Sequence, residues 1–213
     1  MKTLLTALFV GLALAGGVDA QPGPVPSPVT SGPTVETIVC IRHGEKPAGG
    51  LGQLTCRGLN RALALPDVLL AKFGPPTFVF APNPTQKVDG NGSYYYVRPL
   101  ATIEPTAIRC GLPVNTQFGY KEIKGLEGEL QKQQYESATV FVAWEHGLLD
   151  EFVKDLLKAN GENPARVPAW PGTDYDSIFV VRIIHSAAGP SVTFAIDHEG
   201  LNNLPEAYPK VAR

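Results

Sequence analysis

Strand-like and helical segments alternate along this chain. The alternation predicts an α/β fold, a three-layer α/β/α sandwich with a mostly parallel central sheet. Three observations carry the prediction. Short runs of β-branched and aromatic residues recur at 37–41, 78–81 and 139–144. Between them lie longer stretches with apolar residues at helical spacing. The chain then closes on two strand-like runs, 177–184 and 191–196, joined through Ala188-Gly189-Pro190, which reads as a hairpin.

In chain order, residues 37–41 form the first strand. Residues 54–72 have helical periodicity, with Thr55 placed to cap the N-terminus. Residues 78–81 are a second strand, residues 98–110 a helix stopped by Gly111, and residues 113–118 a third strand. A helix over 126–135 leads to the strong strand 139–144, and a helix over 148–159 ends at Gly161. In open α/β sheets, sites form beyond the carboxyl ends of strands. That rule selects His43, just past the first strand, and His146, just past the strand 139–144.

Composition bounds the rest. The chain has 213 residues and a net charge of −2, a near-neutral balance that gives no sign of nucleic acid or an anionic membrane as partner. Residues 1–20 read as a signal peptide. Lys2 supplies the positive start, residues 4–14 are almost wholly apolar, and Val18-Asp19-Ala20 offers small residues at a cleavage site. The expected location is secreted or periplasmic, with no membrane span after cleavage. Residues 21–34, rich in Pro, Gly and Ser, read as a linker, and 35–213 as one catalytic domain. Of the three cysteines, Cys40 lies in an apolar run as a buried thiol, and Cys56 with Cys110 is open as a disulfide. Arg57 and Arg61, one helical turn apart, read as a solvated face.

The first strand ends in Arg42-His43-Gly44-Glu45. A neutral imidazole can attack phosphorus and carry a phosphoryl group, and guanidinium groups match phosphoryl oxygens with paired hydrogen bonds. An acid must protonate the leaving oxygen. The sequence holds candidates for each role without a metal or organic cofactor.

Four segments resemble the histidine phosphatase, or phosphoglycerate mutase-like, superfamily: Arg42-His43-Gly44; Leu54-Thr55-Cys56-Arg57-Gly58 with Ala62; Arg98-Pro99-Leu100-Ala101-Thr102-Ile103-Glu104-Pro105-Thr106-Ala107 with Gly111-Leu112-Pro113-Val114; and Trp144-Glu145-His146-Gly147. They span most of the domain, and the residues after 160 add little. The resemblance implies phosphoester hydrolysis through a phosphohistidine at His43. Arg42, Arg98 and His146 would hold the phosphoryl oxygens of a small phosphorylated substrate. Lys121-Glu122-Ile123-Lys124-Gly125-Leu126-Glu127-Gly128 resembles the segment that carries the family's acid. Glu122 is the first choice, with Glu127 and Glu45 as alternatives. The chain departs from the family pattern in a long gap before Arg98, an insertion over 85–97 that contains Tyr94-Tyr95-Tyr96. A phosphomutase and a phosphate-binding protein without turnover are the competing readings.

Overall fold

The computed structural model describes residues 32–209. The signal peptide reading and nearly all of the 21–34 linker lie outside the described residues.

Among the described residues, eight strands and four α-helices follow in order: β1 (Thr34–Arg42), α1 (Cys56–Phe73), β2 (Phe78–Phe80), β3 (Lys87–Val88), β4 (Tyr94–Tyr95), α2 (Arg98–Cys110), β5 (Val114–Asn115), α3 (Ile123–Leu130), β6 (Thr139–Trp144), α4 (His146–Ala159), β7 (Ser177–His185) and β8 (Ser191–His198). Six strands form one sheet in the order β5-β2-β6-β1-β7-β8. The β5-β2, β2-β6 and β6-β1 pairings are parallel; β1-β7 and β7-β8 are antiparallel. The sandwich is therefore the expected one, with two antiparallel strands on one flank. The short pair β3-β4 stands apart as a hairpin inside the insertion.

Side chains alternate across a strand, and the core divides accordingly. Val39 and Ile41 of β1, with Val79, Phe141, Ala143 and Val180, pack on Leu65 and Leu69 of α1 and Ile103 and Ala107 of α2. Ile38 and Cys40, with Val140, Val142, Phe179 and Val181, pack on Leu126 and Leu130 of α3 and Leu149, Phe152 and Leu156 of α4. Burial on both faces explains why the central strands read as unbroken apolar runs rather than as alternating ones.

Local signals set the helix ends. The Thr55 hydroxyl accepts from the Gly58 amide at 3.1 Å and caps α1. Gly111, with φ 66°, takes the left-handed conformation that ends α2. The helix expected over 126–135 instead runs Ile123–Leu130, and a separate 3-10 turn covers Gln133–Tyr135. Cys40 is a buried free thiol, and Cys56 and Cys110 are free as well.

The reading of Arg61 as solvated is overturned. Its guanidinium is fully buried and bonds Glu45 twice, at 2.8 and 3.0 Å; it also bonds Glu199 and the Leu201 carbonyl. Asp176 lies 3.8 Å away. Helical spacing places Arg61 beside Arg57, but only the folded chain brings the segment after β8 over it. Arg57 behaves as expected, pairing at the surface with Glu206.

Candidate active site

The first and fourth sheet connections converge at one end of the sheet. β1 and β6 pair in register Arg42↔Trp144, and the His43 amide donates to the Trp144 carbonyl at 3.0 Å, so the ladder continues one residue past β1. Arg42-His43 and Glu145-His146 thus leave the sheet side by side.

The loop beyond His43 is held from two helices. The Gly44 amide donates to the Thr102 hydroxyl of α2 at 2.9 Å, and the loop packs on the first turn of α1. A Cβ on Gly44 would lie 2.9 Å from the Gly58 carbonyl oxygen, and one on Gly58 would lie 2.5 Å from that of Glu45. Both positions need glycine for this close approach of backbones.

His43 is 2% exposed. Its Nδ1 sits 2.8 Å from the Gly44 carbonyl, an acceptor only, so Nδ1 carries the proton and Nε2 keeps its lone pair. Arg98 Nε donates to that Nε2 at 3.2 Å. Burial pushes the imidazole down to about 3, and the neighbouring Arg98 and Arg42 charges add to the effect against the Gly44 bond. The ring is neutral at ordinary pH.

Arg42 is 1% exposed and is braced by carbonyls of a late loop: Nη1 donates to Gly172 and Asp174, each at 2.8 Å. Its guanidinium stacks 3.8 Å from the Tyr175 ring centroid. Its Nε is buried without a partner among the described residues. Arg98 opens α2, and the amides of Val97 and Arg98 both donate to the Gly52 carbonyl, which supplies the cap that α2 lacks from a side chain. Arg98 Nη1 pairs with Asp89 Oδ2 at 2.6 Å, and that oxygen also accepts from the Gly52 amide. Burial alone would raise the Asp89 carboxyl, but Arg98 and the Gly52 amide outweigh it and hold it low.

His146 begins α4. Its Nδ1 lies 2.5 Å from Glu145 Oε1, while Glu145 Oε2 accepts from the Leu148 amide and caps the helix. Burial would raise Glu145; His146 and the Leu148 and Gly147 amides hold it down at about 2. His146 Nε2 faces the same Gly172 that braces Arg42: a Cβ built there would lie 3.6 Å from it.

A cleft of about 410 Å³ adjoins this group and is lined by Asp89, Tyr96, Arg98, Tyr120, Lys121 and Glu145 among others; Arg42, His43 and His146 lie behind that lining. The insertion before Arg98 therefore walls the cleft. Arg42, His43, Arg98 and the Glu145-His146 pair are brought together. Glu122 is not: it is exposed, its Oε2 accepts from the Gly119 amide at 2.8 Å, and it does not line the cleft, although its neighbours Tyr120 and Lys121 do. Glu127 pairs with Lys124, and Glu45 is held by Arg61. Sequence reasoning gave Asp89, Glu145 and Tyr175 no role. Glu145 was within reach of the motif it sits in, whereas Asp89 and Tyr175 act through loops that carry no periodic signal. Among the described residues, no group of three or more His, Cys, Asp or Glu is arranged to hold a metal ion.

No family model matches the chain, and no curated protein matches it. Solved structures do. A phosphoglycerate mutase from Plasmodium falciparum superposes with a TM-score of 0.50 at 13% identity, over 84% of this chain and 99% of that one. A putative alpha-ribazole-5'-P phosphatase from Escherichia coli does so with a TM-score of 0.50 at 13% identity, over 83% of this chain and 99% of that one. At this identity the likeness is one of fold.

Proposed function

We propose that this chain, which has the histidine phosphatase (phosphoglycerate mutase-like) fold, hydrolyses phosphate monoesters through a phosphohistidine on His43. One observation carries the reading. A buried, neutral imidazole has Nδ1 tied to a carbonyl and Nε2 held against the buried Arg98 guanidinium, and the residue before it, Arg42, is a second buried arginine. That is the state a nitrogen nucleophile needs, set where the charge of a transferring phosphoryl group can be balanced.

In the first step His43 Nε2 bonds to phosphorus, and the ester P–O bond breaks with its electron pair going to the leaving oxygen, which takes up a proton. Arg98, whose Nε contact to Nε2 is replaced by the phosphoryl group, and Arg42 bind its oxygens. In the second step water attacks phosphorus, N–P breaks, and inorganic phosphate leaves. We assign proton delivery to the Glu145-His146 pair. Of the two cleft carboxylates, Asp89 is spent on Arg98, while Glu145 stands against a second imidazole. The residues named act without a metal or organic cofactor. Lys2, the apolar residues 4–14 and Val18-Asp19-Ala20 support the further proposal that the enzyme is exported.

Retention of the pocket without turnover is the second reading. It is favoured by one observation, that both cleft carboxylates are held ionised and neither is itself an acid. Rapid quenching with a phosphorus-labelled aryl phosphate separates the two. Hydrolysis through His43 yields an acid-labile, alkali-stable phosphoenzyme. In a folded His43→Ala variant that species is absent and turnover falls by at least about 1000-fold, the scale seen when a nucleophile is removed. A wild-type protein that releases phosphate without a phosphoenzyme, or a His43→Ala variant that keeps turnover, ends the proposal.

A further inference from the structure

The insertion over 85–97 carries Tyr96 near its end. Tyr94 and Tyr95 are exposed; Tyr96 is 1% exposed and lines the cleft. Its ring is fixed on three sides. His43 meets it edge to face, with centroids 6.1 Å apart and planes at 88°. The Arg98 guanidinium lies 4.6 Å from its centroid, and Tyr120 packs against it at 5.1 Å. The backbone is fixed too, since the Tyr96 amide donates to the Gln86 carbonyl at 2.9 Å.

The hydroxyl of this immobilised ring has no hydrogen-bond partner among the described residues. A buried phenol normally finds one, because leaving a hydroxyl unpaired costs free energy. Arg42 Nε, in the residue before His43, is in the same condition. Arg42 Nε–H can only donate. Burial raises the phenol, with Glu145 and Asp89 adding to the effect against Arg98 and Arg42, so the hydroxyl keeps its proton and is a donor as well. Two unfilled donors on residues next to one nucleophile call for a ligand made of acceptors.

We propose that Tyr96 is a catalytic residue whose hydroxyl donates a hydrogen bond to a non-bridging oxygen of the phosphoryl group on its way to His43. The assignment rests on the reading of His43 as the phosphoryl acceptor. It gives the insertion a chemical function: the segment closes the cleft and also supplies a phosphate ligand next to Arg98.

The test is Tyr96→Phe in the full chain, read by three measurements. Calorimetric titration with inorganic phosphate and with orthovanadate is expected to show affinity weakened by about 10- to 100-fold, the scale of one hydrogen bond to a charged group. kcat/KM is expected to fall by a similar factor, equally for an aryl and an alkyl phosphate, because a non-bridging oxygen does not depend on the leaving group. Tm is expected to hold or rise, because the lost hydroxyl bonded nothing in the fold. Unchanged anion affinity overturns the proposal. So does a lower Tm or a failure to fold, since either means the hydroxyl has a partner within the protein. A loss confined to the alkyl substrate places the hydroxyl on the leaving oxygen and overturns this assignment. A wild-type protein that binds neither anion removes the pocket itself, a result distinguishable from wild-type binding that Tyr96→Phe leaves intact.

Discussion

Two buried arginine sites flank the turn at Gly44, and they are built to opposite ends. Around Arg61 three carboxylates and a carbonyl close in: Glu45, Glu199, Asp176 and Leu201. One guanidinium faces more negative charge than it can neutralise, and burial pushes the Glu199 carboxyl up to about 8. Around Arg42 and Arg98 the partners are mostly carbonyls and aromatic faces. The carboxylates there, Asp89 and Glu145, are shared with other groups, and two donors are left unfilled. Both sites bury an arginine, yet the first surrounds it with the chain's own carboxylates, whereas the second leaves donors that the proposed anion would fill. Burial of an arginine therefore says little about its role until the charges around it are counted.

A crossed pair of substitutions breaks this contrast if it is wrong. Arg61→Met leaves the buried Glu199 and the half-buried Glu45 without their cation and is expected to cost about 3–5 kcal/mol of stability. Arg98→Lys keeps a charge but loses the planar two-point contact. It is expected to lower kcat/KM by about 10- to 100-fold while changing stability by less than about 1 kcal/mol. Denaturant unfolding and steady-state kinetics on both variants check it. A large stability loss at Arg98, or a purely kinetic loss at Arg61, would falsify the division.

The pH response sharpens the same point. A histidine whose folded pKa lies below its unfolded value binds fewer protons in the fold. His43 therefore costs stability progressively as pH falls from about 6.5 towards 3, and costs nothing above that window. Over the same window the folded protein keeps the neutral ring that the proposed attack requires. The ring-proton shifts of His43 are expected to stay flat between about pH 5 and 8 in NMR titrations. A midpoint near 6.5 would mean that the nucleophile is solvated and that the burial argument fails.

The smallest effect is expected at Glu122. Its carboxylate accepts the Gly119 amide outside the cleft, and a glutamine oxygen can accept the same bond. Glu122→Gln is expected to change kcat/KM by less than about twofold, even for alkyl phosphates that depend most on an acid. A loss near 100-fold restricted to alkyl substrates would return the acid to Glu122 and release the Glu145-His146 pair from that duty.

The legibility of this chain follows distance along the sequence. The alternating layers were readable because their signals are local: apolar runs for β1 and β6, helical spacing with Thr55 for α1, Gly111 at the end of α2. Arg42, His43, Arg98 and His146 were readable because each sits at the end or start of such an element. Arg61 was not, since helical periodicity sees only Arg57 beside it, while Asp176, Glu199 and Leu201 arrive from the far end of the chain. The braces on Arg42 come from Gly172, Asp174 and Tyr175, in a loop with no periodic pattern. The hairpin β3-β4 has strands of two residues each, too short to register as alternation. Glu122 was chosen by likeness of a segment, and a shift of a few residues along a loop is enough to turn a carboxylate away from a cleft.

The parallel pairing of β1 with β6 has a consequence for how the molecule assembles. The two strands come from early and late in the chain, and parallel neighbours cannot meet through a tight turn. No local piece of the polypeptide holds both His43 and the Glu145-His146 pair, and Arg42 waits still longer for the loop before β7. The anion pocket comes into being only once the most distant contacts have closed, which are the slowest to form. If the pocket binds inorganic phosphate as proposed, the anion meets only the finished fold and acts as a mass-action weight on the last step of folding.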